Sequence, residues 1–314
     1  MSQRPLKTTA DKVLFYAGAI ALGMPLFCFT LFFAHLFWSS QNFFFGLWNF
    51  VEPATMSEFF LSVVRTLQAV SIAIIVALPL SLCTAVFLEE FGPKTLFHRL
   101  INSQIIFLTR IPSITFGLAS IILFGFILGL SINTFFIGLV LSCMALPAVT
   151  TKAQLAFRDV PFSYREASFA LGASRWSVIK NIVLPAAFRD IVSGSSFSFA
   201  RTVGEAAPLV IIYQLAVAGK NNLAIAGAAE SAKTIPVLIY EWTIKHLEME
   251  QHIISSGGSY TVSSLQNTEL FSSLSAAILV IFAIQGALHL FGYWAARTSP
   301  TAPLTRSHLH ERNP

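Results

Sequence analysis

The sequence predicts an all-α polytopic membrane protein, and three observations lead to that class. Only 11% of the 314 residues are charged, whereas an average soluble domain has roughly 25% charged residues. Hydrophobic residues make up 55% of the chain, so too few polar groups are present to cover a globular surface in water. Apolar stretches of about 20 residues, the length of a helix that crosses a bilayer, recur along the chain. These observations exclude an ordinary soluble enzyme and indicate that lipid covers much of the surface.

Six apolar stretches are long enough to cross a hydrocarbon core of about 30 Å as helices that rise about 1.5 Å per residue. The first begins after Lys7 and Lys12. It is too long and begins too late for a cleaved signal peptide, so we expect it to remain as an anchor. Tails at 1–12 and 298–314 are expected to flank the spans. The predicted spans are residues 13–38, 59–88, 111–129, 132–150, 186–217 and 274–296.

The distribution of Lys and Arg predicts the orientation, because cations are retained on the cytoplasmic side of a membrane. Fifteen of the 20 Lys and Arg residues fall in the two tails and in alternate connections, which predicts that both termini are cytoplasmic. On the opposite side, the stretch 218–273 is too polar to cross, and we expect it to form an external segment. The cations form no dense patch with aromatic residues, so the net charge of +5 does not indicate a nucleic-acid partner.

The cytoplasmic loop at 150–185 carries the most specific pattern. Small residues beside Glu166 leave one helix face thin, and Gly172 allows a tight turn, which together suit docking into a groove on another protein. The pattern is Glu166-Ala167-Ser168, three residues, Gly172, nine residues, and Ile182-Val183-Leu184-Pro185. It resembles the EAA loop of ATP-binding cassette importer permeases, with Ser168 in place of the second Ala. The sequence has no Gly-x-x-x-x-Gly-Lys-Ser/Thr loop and therefore no recognisable cradle for ATP phosphates.

This resemblance implies the type I importer permease (MetI-like) fold, with six transmembrane helices. It also implies that the loop is a coupling helix that seats on a separate ATPase, where ATP and Mg²⁺ bind. The residues implied to take part in coupling are Glu166, Ala167, Ser168, Gly172, Ile182, Leu184 and Pro185.

The fifth predicted span contains Arg201 and Glu205, which are four residues apart and so lie on one face of a helix. A charge at membrane depth is costly unless it faces a partner or water. Gly204 and Pro208 weaken the helix here, since Pro208 has no N–H to donate to the carbonyl of Gly204. Two interpretations stay open, an internal ion pair that fixes helix packing and an anion pathway. In a pathway, Glu205 favours monohydrogen phosphate, which has a proton to donate, over sulfate, which has none.

The stretch from Ala200 to Pro208 resembles the Ala-Arg-x-x-Gly-Glu-x-Ala-Pro signature of phosphate-specific importer permeases. Further similarity to the A-type subunit of that family runs from about residue 57 to residue 297. The resemblance implies a permease core over 57–297, with the coupling loop at 150–185 and the external segment at 218–273. It also implies a substrate pathway at Arg201, Gly204, Glu205 and Pro208.

The function implied is that of a translocation subunit of an ATP-driven phosphate importer in the bacterial inner membrane, surrounded by membrane lipid. Its expected partners are a C-type permease subunit, an ATPase dimer and an external phosphate-binding protein, and inorganic phosphate is the cargo. No catalytic residue, cofactor or metal is expected on this chain. Two alternatives remain, a permease of another oxyanion or small-solute importer, and an ATP-independent channel or carrier.

Overall fold

The computed structural model describes residues 23–25, 27–40, 53–92, 95–218, 228–255 and 269–298. All regular elements within these ranges are helical, as the sequence predicts. The predicted tail 1–12, the start of the first span, nearly all of the predicted tail 298–314 and residues 219–227 and 256–268 of the external segment lie outside the described residues.

Twelve helices are described in these ranges, and four of them adjoin the three π-helical turns. The helices are α1 (Gly23–Ser40), α2 (Pro53–Val86), α3 (Leu96–Leu108), α4 (Ser113–Ser120), α5 (Thr134–Asp159), α6 (Phe162–Ala170), α7 (Arg175–Val178), α8 (Leu184–Val203), α9 (Ala207–Ala218), α10 (Ala228–Ser231), α11 (Ile235–Ser255) and α12 (Glu269–Thr298). The π-helical turns are Phe87–Phe91 after α2, Ile121–Ile127 after α4 and Ile179–Val183 between α7 and α8.

Four described helices are long and apolar enough to cross a membrane, namely Gly23–Ser40, Met56–Phe91, Thr134–Asp159 and Ser273–Arg297. A fifth crossing exists if His98–Leu108 and Ser113–Ile127, which bend by 106° at the break between them, form one broken span. The predicted multi-pass helical architecture is therefore confirmed, but the count of six spans is not.

The predicted span 186–217 is two helices, α8 and α9, separated by Gly204–Ala206. The amide of Gly204 donates to the carbonyl of Arg201 at 3.1 Å, a tight turn that ends α8. Pro208 then occupies the first turn of α9, where its missing N–H costs nothing. The 12 residues of α9 extend only about 18 Å, and α8 is not among the described helices that are apolar enough to cross a membrane.

The chain forms two compact units, residues 1–56 with 245–279 and residues 57–244 with 280–314. In the second unit, α5 packs along α8 and α4 packs along α9. The helices α4 and α9 touch backbone to backbone, because a Cβ on Gly117 would lie 2.8 Å from Cα of Pro208. Small residues that allow such close approach are typical of helix packing in membranes.

The start of the predicted external segment is part of this core. Ile235, Val237 and Leu238 of α11 are fully buried, and the Ile235 amide donates to Oγ1 of Thr66 in α2 at 2.9 Å. Lys233, just before α11, is also buried. Its Nζ lies 3.1 Å from Glu241, 3.3 Å from Glu230 and 3.9 Å from Glu58. These carboxylates hold α10 and α11 against α2.

Candidate functional site

Arg201 and Glu205 meet at the end of α8. Arg201 lies in the last turn of that helix, and its Nε is 3.7 Å from Oε1 of Glu205. The pair spans the helix end rather than one helix face, because Glu205 lies beyond the cap residue Gly204. Arg201 is twelve residues after Arg189, which corresponds to about 18 Å along an α-helix.

The two side chains differ in exposure. The Arg201 side chain is 71% exposed and the Glu205 side chain 25%. If Arg201 lies within the membrane, as the predicted fifth span places it, one carboxylate at 3.7 Å does not compensate its exposed guanidinium, which then needs water, a partner chain or an anion. Its planar fork of donors fits the oxygens of a tetrahedral oxyanion.

Gly204 and Pro208 have different positions at this break. Pro208 is buried against Gly117 of α4, so it contributes to packing. Gly204 is exposed, and the amide of Gln285 in α12 lies against it, in the space a Cβ would need. Gln285 was not singled out by the sequence reasoning. The signal was a polar residue inside an otherwise apolar helix, which by default marks a functional position.

The predicted coupling residues Glu166, Ala167 and Ser168 lie on α6. Glu166 and Ala167 are exposed, whereas Ser168 is buried and donates from Oγ to the carbonyl of Tyr164 at 2.7 Å. Gly172 ends the turn after α6 with φ +81, a conformation that favours glycine. No atom lies within 4 Å of a Cβ built on Gly172, so a turn rather than close packing requires this glycine.

Four large apolar side chains surround these residues and face outward. Leu171, beside Gly172, is 90% exposed, and Phe162, Phe169 and Trp176 are exposed as well. Exposed apolar side chains close together in sequence are typical of surfaces that bind another protein. The sequence analysis did not single out these four residues. The available signal was the presence of large apolar residues, three of them aromatic, in a loop that its cations assign to the cytoplasmic side.

The second half of the pattern lies where the loop joins α8. Leu184 packs against a core cluster that includes Val183, Ala187 and Ile191, and Ile182 is half-buried. Pro185 follows the π-helical turn Ile179–Val183. A wider turn at this point accommodates a proline, whose ring otherwise collides with the carbonyl four residues earlier. Ile182 and Leu184 therefore fix the end of the loop to the protein core, whereas Glu166 and Ala167 lie on its exposed surface.

Two arginine–glutamate pairs connect this region to the end of α2. Nη2 of Arg165 in α6 lies 2.8 Å from Oε1 of Glu90, and the same guanidinium donates to the carbonyls of Val160 and Phe157 at 2.7 and 2.8 Å. Nη2 of Arg158 in α5 lies 2.6 Å from Oε1 of the neighbouring Glu89. The side chains of Arg165 and Glu90 are 12% and 13% exposed, whereas Arg158 is 52% exposed. Only the Arg165–Glu90 pair includes a residue of α6.

The described residues contain no group of three or more His, Cys, Asp or Glu side chains that could hold a metal ion. The arrangement offers anion-binding groups at Arg201 and a docking surface around α6. It is suited to passing an ion and contacting another protein.

The comparisons with known proteins agree with this arrangement. Residues 77–227 match the family model described as "Binding-protein-dependent transport system inner membrane component". The chain is 35% identical over 175 residues to "Phosphate transport system permease protein PstA 1" of Mycobacterium tuberculosis (strain CDC 1551 / Oshkosh), covering 56% of each protein. It is 32% identical over 168 residues to "Phosphate transport system permease protein PstC 2" of Mycobacterium bovis, covering 46% of this chain and 52% of that protein.

The alignments thus span about half the length of these curated relatives. The structure also resembles a chain of the inward-facing MetNI methionine ABC transporter, with a TM-score of 0.54 and 17% identity over 79% of this chain and 100% of that chain. This likeness confirms the predicted MetI-like permease fold. The family match and the identity to permease proteins confirm the resemblance that the sequence motifs indicate.

Proposed function

Because residues 77–227 match a family of binding-protein-dependent transport system inner membrane components, we propose that the chain is the A-type permease subunit of an ATP-driven phosphate importer. The observation that carries the proposal is the Arg201–Glu205 pair at the break between α8 and α9. The guanidinium attracts an oxyanion. The carboxylate favours an oxyanion that carries a proton, because it can accept a hydrogen bond from that proton. The names of the PstA and PstC relatives support phosphate as that ion.

In this function the chain forms the pathway together with a homologous C-type permease and breaks no bond itself. An external binding protein delivers phosphate, and ATP with Mg²⁺ binds to a separate ATPase pair. The chain is placed in the bacterial inner membrane with both termini cytoplasmic, as the distribution of Lys and Arg indicates.

Coupling to the ATPase takes place at α6 and the residues that follow it. The exposed apolar side chains of Phe169 and Leu171 are the anchors, and Glu166 adds a charge beside them. The turn at Gly172 orients this surface, and the buried Arg165–Glu90 pair holds α6 to the end of α2. Closure of the ATPase pair moves α6, and this motion rocks the packed spans between inward-open and outward-open states.

Selective binding depends on the different roles of the two charged side chains. Monohydrogen phosphate accepts hydrogen bonds from Arg201 and donates its own proton to Glu205. Sulfate has no proton, so Glu205 repels it without compensation. A site built around a specific hydrogen bond rejects an analogue that lacks it by large factors, because a buried group is left unpaired.

The experiment is uptake of labelled phosphate, sulfate and molybdate by the complex reconstituted with its ATPase and binding proteins. We expect Arg201→Ala to abolish phosphate uptake while assembly is retained, and Arg201→Lys to keep part of it. Arg297→Ala removes another exposed arginine, at the end of α12, and serves as the matched control. Normal phosphate uptake by Arg201→Ala would remove Arg201 from the pathway.

Glu205→Gln tests selectivity in the same assay. The neutral amide no longer repels sulfate, so the preference for phosphate over sulfate is expected to fall by about tenfold or more. A wild-type complex that transports sulfate or molybdate but not phosphate would assign the chain to another oxyanion importer. Uptake by the chain alone, without ATP, would identify a channel or carrier instead.

A further inference from the structure

The last helix, α12, carries two polar side chains on the face that packs against α8. Gln285 places its amide against Gly204, and the ring centroid of His289 lies 5.1 Å from that of Phe197. Gly292 continues the same stripe against α8. The spacing of four and then three residues is that of one face of a helix. The window Ser273–Arg297 has a mean hydropathy of 2.1, so these polar groups are exceptions in an apolar helix.

The opposing face of α8 carries the predicted pathway. Phe197 and Arg201 are four residues apart and both are exposed, so they lie one helical turn apart on one face. Lys152 of α5 also lies near Phe197, with Nζ 5.9 Å from its ring centroid. Along α8, Gln285 therefore contacts Gly204 near Arg201, and one turn earlier in the chain Phe197 lies near both Lys152 and His289.

Packing alone does not explain the side chain of Gln285. It is half-buried and forms no hydrogen bond with any residue that the structure describes. A glutamine amide offers two N–H donors and one acceptor, all of which cost free energy when they are buried in hydrocarbon without a partner. Its amide lies against Gly204, three residues after Arg201, at the end of α8 that carries the exposed guanidinium.

We propose that Gln285 and His289 of α12 line the anion pathway beside Arg201, with Lys152 as a second cation one turn further along. The inference rests on the proposed function and adds α12 as a second wall of the pathway. Gln285 donates an amide N–H to the oxyanion held by Arg201. A neutral donor strengthens binding without adding charge, and conduction requires binding that is weak enough for the ion to leave.

Thiol accessibility tests this placement without requiring transport. Cys28, Cys83 and Cys143 are the free cysteines of the chain, and all three are replaced by Ala in the assembled complex. Gln285→Cys and His289→Cys are then treated with water-soluble methanethiosulfonates that carry either a sulfonate or a trimethylammonium group. We expect the anionic reagent to react about tenfold faster than the cationic one at both positions, because a cation-lined cleft concentrates anions.

Leu290→Cys is the matched control, since Leu290 is exposed on the same helix but not on the stripe of Gln285 and His289. It is expected to react slowly with both reagents. Inorganic phosphate should slow the modification of Gln285→Cys. Reaction of Gln285→Cys at the rate of Leu290→Cys, or without preference for the anionic reagent, would overturn the inference.

A second pair of variants distinguishes a role of Gln285 in the pathway from a general effect of replacing a glutamine by leucine. Gln285→Leu should lower the phosphate uptake rate about tenfold at saturating loaded binding protein, the effect of losing a hydrogen bond to a charged group. Gln214→Leu makes the same chemical change where the amide donates to Oη of Tyr240 at 2.7 Å, and it should retain the rate. Equal rates for the two variants would count against the pathway role. If wild type fails to import phosphate while Gln285→Cys still prefers the anionic reagent, only the substrate assignment fails.

Discussion

Loss of the Arg165–Glu90 ion pair is expected to cost much more stability than loss of its neighbour Arg158–Glu89. Arg165→Ala leaves Glu90, only 13% exposed, without its cation and removes the donors to two backbone carbonyls. Breaking a buried pair costs roughly 3–5 kcal/mol, and we expect about 3 kcal/mol because some water reaches both side chains. Arg158 is 52% exposed and is therefore screened by solvent, but its loss also leaves Glu89, 15% exposed, without its cation, so Arg158→Ala should cost about 1 kcal/mol.

Thermal unfolding of the purified complex in detergent measures the difference, which corresponds to a melting temperature about 5 °C lower for Arg165→Ala than for Arg158→Ala. The double variant Arg165→Ala/Glu90→Ala should recover part of the loss, since it leaves no uncompensated carboxylate. Under the proposed function, Arg165→Ala also lowers phosphate imported per ATP hydrolysed, because α6 loses its link to α2. Equal melting temperatures for the two single variants would refute the argument from burial.

Two further predictions concern a turn and a buried lysine. At Gly172 the cost of a side chain comes from φ +81 alone, so Gly172→Ala should destabilise by about 1–2 kcal/mol and the branched Gly172→Val by more, with ATP-driven uptake lost. Uptake at the original rate in Gly172→Val would contradict a coupling role. Burial lowers the pKa of Lys233, but the carboxylates of Glu241, Glu230 and Glu58 outweigh it and raise the pKa above 10.5. A lysine whose pKa is raised by folding stabilises the folded state at any pH below its pKa in the unfolded chain. This stabilisation is lost as the pH rises through the pKa of the folded state. The melting temperature of the wild-type protein, measured from pH 8 to pH 11.5, should therefore decrease at the alkaline end. Lys233→Met should show a smaller alkaline decrease. Parallel plots of melting temperature against pH for the two proteins would contradict the prediction.

Sequence patterns predicted the membrane class and the coupling loop because both depend on local properties. Hydropathy over about 20 residues reports on lipid contact whatever the neighbouring helices do. The spacing from Glu166 to Gly172 determines a helix and its turn, and the structure has both, α6 and a positive φ. The roles of these residues in coupling stay predictions.

The count of spans was harder to predict, because summed hydropathy does not register a break. Residues 186–217 were predicted as one span, yet Gly204 caps α8 and a new helix, α9, begins at Ala207 with Pro208 in its first turn. The external segment at 218–273 stays a prediction, and its polar composition did not reveal that the beginning of α11 is buried. Lys233 is buried there because three carboxylates from α2, α10 and α11 surround it. No local pattern shows such a pairing.

The sequence by itself determined that this is a helical, multi-pass membrane protein, and it predicted the coupling loop and a charged pair within the fifth span. Only the tertiary structure decided that Gln285 lies beside Gly204, that Arg165 rather than Arg158 is the buried anchor of α6, and that Leu171 faces outward. The physical reason is distance along the chain. Gln285 and Gly204, or Arg165 and Glu90, are more than 70 residues apart, and only the packing of their helices brings them together.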